Sequence, residues 1–146
     1  MKIIQIVGRS NSGKTTFIKN LIPELRILGS VSVIKHLGHH DYHLEEGKDT
    51  TVFFNAGADI AVGIDAVKSV VAFRKNSLDD ALRLLANSGM DFTVIEGFKQ
   101  YPYPKIVIGN LEIEKCVLTN PTVSQVITNL ELFEDYQTQS LPGELI

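Results

Sequence analysis

The sequence holds a single cysteine, Cys116, so no disulfide can form within the chain, and a reducing compartment with the thiol packed inertly in the core is the simplest expectation. No apolar stretch reaches the roughly 20 residues that cross a bilayer. The run from Ile3 to Val7 stops at Gly8 and polar residues, unlike the core of a secretion signal. Positive charge is not in excess: 14 Lys and Arg stand against 17 Asp and Glu, with a formal net charge of −3. No whole-molecule field draws in nucleic acid or an anionic membrane, and any anion site must be local. Arginine is scarce. Only Arg9, Arg26, Arg74 and Arg83 occur, which disfavours a small-molecule kinase, whose lid needs arginines to screen a transferred phosphoryl group. An N-K-x-D guanine-reading motif, a protein-kinase Gly-rich loop and an H-R-D element are all missing. There is no internal repeat or low-complexity linker, so the 146 residues read as one cytoplasmic domain, 1–146.

What is present alternates strands with helices. Lys2 to Val7 is β-branched and reads as a buried central strand ending at Gly8. Phe17, Ile18, Leu21, Ile22, Leu25 and Leu28 follow at helical spacing, with Gly29 as the stop and Pro23 as an imperfection. Val31 to Ile34 is a second strand, and Asp49-Thr50 can cap a short helix ending near Gly57. Ala58 to Ile64 and Ser69 to Arg74 read as two more strands, their apolar character suiting a sheet interior. Ser77 opens a helix with Leu78, Ala81, Leu82 and Leu85 on its apolar face. Strands at 92–95 and 105–108 come next, then a last one near 115–118, and Thr122 caps a terminal helix. This order predicts an α/β fold with a mostly parallel sheet and helices on both faces. Ligands of such sheets bind beyond the carboxyl ends of the strands. Gly8 to Thr16, Lys35 to Asp49 and Glu96 to Lys99 all begin where a strand ends, so they are expected on one rim.

The first of these segments, Gly8-Arg9-Ser10-Asn11-Ser12-Gly13-Lys14-Thr15, satisfies G-x-x-x-x-G-K-[ST] between a strand and a helix. Backbone N–H groups from Asn11 to Thr15 form a nest for phosphate oxygens, aided by the positive end of the helix. Lys14 is placed to reach the β- and γ-phosphates, Thr15 to ligate Mg²⁺ and Thr16 to touch the α-phosphate. Glu96 ends an apolar strand, as a Walker B acid does, and is expected to hold Mg²⁺ directly or through water. Asp91 begins that strand and lies at the wrong end. Lys99 is either a phosphate ligand or a surface lysine. Asn120 is either a base contact or a turn residue beside Pro121.

All four histidines, His36, His39, His40 and His43, fall within eight residues that also contain Asp41. They can ligate zinc or nickel, as a metal-insertion GTPase would require, although no cysteine joins them. The reading preferred here places Lys35, His36 and Asp41 facing nucleotide or a second anionic substrate. Asp49 is either part of that site or only a helix cap.

Gly8 to Thr16, Val33-Ile34-Lys35-His36 with His39-His40-Asp41, Gly47-Lys48-Asp49-Thr50, Ala56-Gly57-Ala58 and Val94-Ile95-Glu96-Gly97-Phe98-Lys99 together resemble the molybdopterin-guanine dinucleotide biosynthesis protein B family over nearly the whole chain. The resemblance implies a P-loop NTPase-like, GTP-binding protein with weak GTPase activity, usually a homodimer. It implies an accessory role to the guanylyltransferase that converts molybdenum cofactor to its guanine dinucleotide form, with molybdopterin cofactor and Mg²⁺ as further ligands. Carried over by position, Gly13, Lys14, Thr15 and Thr16 are nucleotide ligands. Lys35, His36, Asp41, Asp49 and Glu96 surround them. One departure stands out: Val52, Phe53, Phe54 and Asn55 occupy a stretch where family members often carry arginine.

Overall fold

A computed structural model describes residues 1–137 of the chain. They fall into two compact units, the first built from Met1–His36 and the chain from Leu82 onward, the second from Leu37–Ala81. In chain order the elements are β1 (Lys2–Val7), α1 (Lys14–Leu28), β2 (Val31–Lys35), α2 (Asp49–Asn55), β3 (Ile60–Ile64), β4 (Ser69–Phe73), α3 (Leu78–Asn87), β5 (Phe92–Glu96), β6 (Lys105–Val107), β7 (Cys116–Thr119) and α4 (Val123–Ile127), followed by a 3-10 turn at Leu130–Leu132.

In the first unit five strands form one sheet in the order β2-β5-β1-β6-β7, every pair parallel. β1 is central, as its largely apolar, β-branched run predicts, because a strand covered on both faces has no solvated side to present. Ile4, Ile6, Val94 and Ile106 point to one face and pack with Ile18, Leu21 and Leu25 of α1 and Val126 of α4. Ile3, Ile95 and Val107, on the opposite face by alternation, are equally buried. Each such side chain contributes about 1.5–3 kcal/mol relative to exposure. α1 runs through Pro23 without ending and stops at Gly29. Thr122 caps α4 in a full capping box with Gln125, as its position before the apolar run predicts.

Two sequence expectations are corrected here. Cys116 is exposed, not packed in the core: it opens the edge strand β7, where the register with β6 shifts between Lys105 and Ile106. Cys116 Sγ instead lies 3.3 Å from Thr119 Oγ1. The strands at 60–64 and 69–73 are not in a sheet interior either. They pair antiparallel as a separate two-stranded sheet in the second unit, in register from Ile60 opposite Phe73 to Ile64 opposite Ser69. Asp65 explains why they turn back on each other. Its carboxylate accepts from the amides of Val67 and Lys68 at 2.7 and 2.8 Å and closes a tight hairpin. A two-stranded sheet leaves side chains uncovered, and Ile60, Ile64, Val67, Val70 and Val71 are exposed. Arg74 ties the base of this hairpin to the end of α2: its guanidinium donates to the carbonyls of Phe54 and Ala58 and lies 4.1 Å above the Phe54 ring. No described helix is long and apolar enough to cross a membrane.

Candidate functional site

β1 delivers the chain into the loop Gly8–Gly13, and α1 leaves it. At Gly8 a side chain has no room, since a Cβ would come within 2.3 Å of the Ile108 carbonyl oxygen and 2.7 Å of Ser12 Oγ. Asn11 and Gly13 both adopt positive φ, 60° and 98°, which turns successive backbone N–H groups toward one side. No side chain caps the N-terminus of α1 and its first turn has no acidic residue, so its leading N–H groups and the positive dipole end are left for an anion. Ser12 Oγ is buried with no hydrogen-bond partner. An uncapped helix end beside an orphaned hydroxyl is what a phosphate-binding loop presents, and these residues fit such a group.

Lys14 folds back over the loop and donates to the carbonyls of Gly8 and Arg9 at 3.0 and 2.7 Å. Burial lowers its pKa below the usual lysine value; Glu96 opposes that shift, whereas Lys99 and Lys35 add to it. All four side chains therefore share one electrostatic neighbourhood. Sheet register explains the grouping: β5 lies between β1 and β2, so Glu96 stands opposite Ile6 on one side and Lys35 on the other. Lys35 Nζ sits 3.1 and 3.2 Å from the two Glu96 carboxylate oxygens. The carboxylate is mostly sheltered while the lysine is half-exposed, at 13% and 52%. Thr15 and Thr16 are exposed at the start of α1, and the Thr15 hydroxyl and the Glu96 carboxylate are oxygens of the kind that Mg²⁺ takes.

Glu96 is followed by a sharp turn. Gly97 and Phe98 both have positive φ, and a Cβ at Gly97 would lie 2.8 Å from the His36 Cβ. The His36 amide donates to the Glu96 carbonyl at 2.9 Å, and its ring stacks on Phe98 with centroids 4.3 Å apart. Holding this turn from below is Gln5, a fully buried polar residue in an apolar strand, whose amide donates to the Gly97 and Phe98 carbonyls at 2.8 and 2.7 Å. In the sequence Gln5 stands only as one residue of a strand. The signal that exposes its role is a glutamine amid isoleucines and valines.

Beside the first turns of α1, Gly13, Thr16, Phe17, Asn20, Asn120 and Pro121 line an open cavity of about 420 Å³. Asn120 adopts a φ of 46°, and its amide makes a reciprocal pair with the Gly109 backbone, accepting at 2.7 Å and donating at 3.0 Å. Asn120 is thus a turn residue, and it also lines this cavity. Asp91 lies at the far end of β5, where it accepts from Ser30 N and Oγ, as its position predicts.

The structure gathers Gly8, Arg9, Ser10, Asn11, Ser12, Gly13, Lys14, Thr15, Thr16, Lys35, His36 and Glu96 in the first unit. Asp41, Asp49 and the histidines His39, His40 and His43 belong to the second, where all five are exposed. Asp49 is the first residue of α2 and Lys48 its cap, so the carboxylate favours the helix dipole without capping it. Among the described residues no group of three or more His, Cys, Asp or Glu side chains converges as a metal site.

A parallel sheet with a central strand running through a glycine-bounded loop into a helix defines an α/β protein of the P-loop NTPase type. Comparison with known proteins narrows the class. The family model for molybdopterin guanine dinucleotide synthesis protein B matches residues 3–129. A Bacillus subtilis protein named probable molybdopterin-guanine dinucleotide biosynthesis adapter protein is 42% identical over 110 residues, covering 73% of this chain and 64% of its own length. The Haemophilus influenzae adapter protein is 36% identical over 118 residues, 77% of this chain and 66% of that one. The crystal structure of Bacillus subtilis MobB superposes with a TM-score of 0.64 at 34% identity, covering 82% of this chain and 77% of that chain. The chain belongs to the molybdopterin guanine dinucleotide synthesis protein B family. Its matches span just under two thirds of the length of these two curated relatives.

Proposed function

We propose that this chain is a GTP-binding adapter in molybdopterin guanine dinucleotide biosynthesis, a slow Mg²⁺-dependent GTPase that serves the guanylyltransferase and its molybdopterin substrate. The observation that carries the nucleotide part is the uncapped N-terminus of α1 behind a loop whose Lys14 is held inward beside Glu96. The names of the relatives carry the pathway part. In this reading Lys14 exchanges its contacts with the Gly8 and Arg9 carbonyls for the outer phosphates, and the loop amides hold the remaining phosphate oxygens. Thr15 and Glu96 would hold Mg²⁺, which would supply charge neutralisation at the phosphates. Lys35, now paired with Glu96, is then released toward the same anion. The guanine base takes the cavity beside Phe17 and Asn120.

Slow turnover follows from what surrounds the loop. Arg9 is the sole arginine near it in sequence, and the Gln5 amide nitrogen is committed to the Gly97 and Phe98 carbonyls inside the sheet, so this reading supplies neither a charge-stabilising finger nor a water-orienting amide from these residues. A partner or second copy completes the site. The exposed apolar hairpin of β3 and β4 supports a homodimer. The test is phosphate release by the isolated protein, by Arg9→Ala and by either one with guanylyltransferase, over a wide concentration range. The expected result is a rate well below about 1 s⁻¹ for the dilute protein alone. Fast turnover by dilute monomer would overturn the adapter reading and favour a self-sufficient enzyme.

A further inference from the structure

Beyond the nucleotide loop, the segment between β5 and β6 and the approach to β7 enclose a second cavity of about 340 Å³. Its charged lining is Lys99, Lys105, Lys115 and Glu114, and Tyr101 and Ile113 supply apolar wall. We propose that this cavity is a binding site for a small phosphate monoester, distinct from the triphosphate loop and independent of whether that loop takes GTP.

The key residue is Lys105. It is only 2% exposed, yet among the described residues no carboxylate is bonded to it. Its ammonium donates to the carbonyls of Tyr101 and Tyr103, the latter at 2.9 Å, and these two bonds fix the group in place. An ammonium has three donors, so one N–H of a cavity-lining lysine is still available. A buried cation held by neutral carbonyls alone is costly, and a bound anion would repay part of that cost. Burial accordingly lowers the Lys105 pKa, Lys115 lowers it further, and Glu114 only partly opposes them.

Lys115 reaches the cavity because of an irregularity in the sheet. Its φ is 58°, the β6–β7 register shifts beside it, and its side chain crosses to donate to the Pro102 carbonyl at 2.7 Å. Lys99 completes the set, and it follows the carboxyl end of β5, which runs parallel to β1, so it lies on the same rim of the sheet as the phosphate loop. Three ammonium groups against the single Glu114 carboxylate leave a local charge of +2. A phosphate monoester carries about −1.5 to −2 at neutral pH and matches that charge, whereas a carboxylate carries half as much. The ring of Tyr101 and the side chain of Ile113 give the organic part of the ligand an apolar surface.

Titration of ¹⁵N-labelled protein with phenyl phosphate, benzoate and benzyl alcohol tests the proposal residue by residue. Phenyl phosphate should give saturable shifts of the amides at 99–105 and 113–115, distinguishable from any at 8–16. Benzoate should bind more weakly, and benzyl alcohol should leave these amides unmoved. Lys99→Gln and Lys115→Gln should each weaken this binding about tenfold or more, the effect of losing one charge-assisted contact, and Lys115→Gln should retain the shifts at 8–16. Both side chains are exposed, so neither change threatens the core. Shifts confined to 8–16, equal binding of benzyl alcohol or benzoate, or undiminished binding in both variants would each overturn the proposal.

Discussion

Gln5→Leu isolates the support beneath the candidate site without touching any residue that would meet a ligand. The wild-type amide donates two hydrogen bonds, to the Gly97 and Phe98 carbonyls, from a position with no solvent exposure. Each is worth about 1 kcal/mol net, and a carbonyl left without a donor costs about 1–3 kcal/mol. Against this loss, Gln5 Oε1 is itself buried without a partner, so its removal returns about 1–2 kcal/mol, and leucine adds apolar burial. The expected balance is a destabilisation of about 1–3 kcal/mol, read as a lower urea midpoint at unchanged slope. The positive φ of Phe98 should relax once its carbonyl is released, so the stacked His36 ring should move as well. Histidine side-chain NMR would report that change. A midpoint shift equivalent to less than about 0.5 kcal/mol, the scatter of ordinary surface substitutions, together with an unmoved His36 resonance, would refute the claim that Gln5 holds the turn.

Lys14→Ala should keep the fold and weaken triphosphate binding far more than monophosphate binding, because the side chain serves the outer phosphates; equal losses in a calorimetric series would contradict that assignment. Glu96→Gln should abolish Mg²⁺-dependent hydrolysis while nucleotide binding is partly kept, and it should also loosen Lys35, with unchanged turnover removing Glu96 from the site. Asn120→Ala should reduce discrimination between guanine and other bases and should destabilise the Gly109 loop, since both halves of its amide are bonded there; unaltered base preference in competition binding would show that the cavity wall is not read. Asp91→Ala should lower stability most at neutral pH. The Ser30 amide and hydroxyl hold the Asp91 pKa below its ordinary value, so this contribution is complete above the unfolded aspartate pKa of about 3.9 and fades as pH falls through the folded one. Unfolding curves of wild type and variant should therefore converge on acidification, and a constant gap would contradict the linkage.

The central sheet and the glycine-bounded loop ahead of α1 were legible in the sequence because both depend on local pattern. A β-branched, largely apolar run such as Ile3 to Val7 suits the interior of a parallel sheet, and Gly8, Gly13 and Lys14 carry their geometry in their spacing. Strand pairing is a longer-range matter. The apolar residues of β3 and β4 suit a buried sheet equally well, and only the Asp65 turn, pairing the two strands with each other, leaves them outside it. Cys116 misleads for a related reason, since composition favours burial while an edge position decides otherwise. Gln5 and Lys105 act through carbonyls of distant loops, Gly97 and Phe98 for one and Tyr101 and Tyr103 for the other. No motif records such contacts, and only a polar residue in an apolar strand hints at them.

Calorimetric titration of the protein with GTP and with ATP, each with and without Mg²⁺, bears most directly on the proposal of a GTP-binding adapter. The account predicts saturable, Mg²⁺-strengthened binding of GTP with one site per chain, weaker binding of ATP, and loss of the GTP signal in Lys14→Ala. Absence of saturable GTP binding, or binding indifferent to both Mg²⁺ and Lys14, would contradict it.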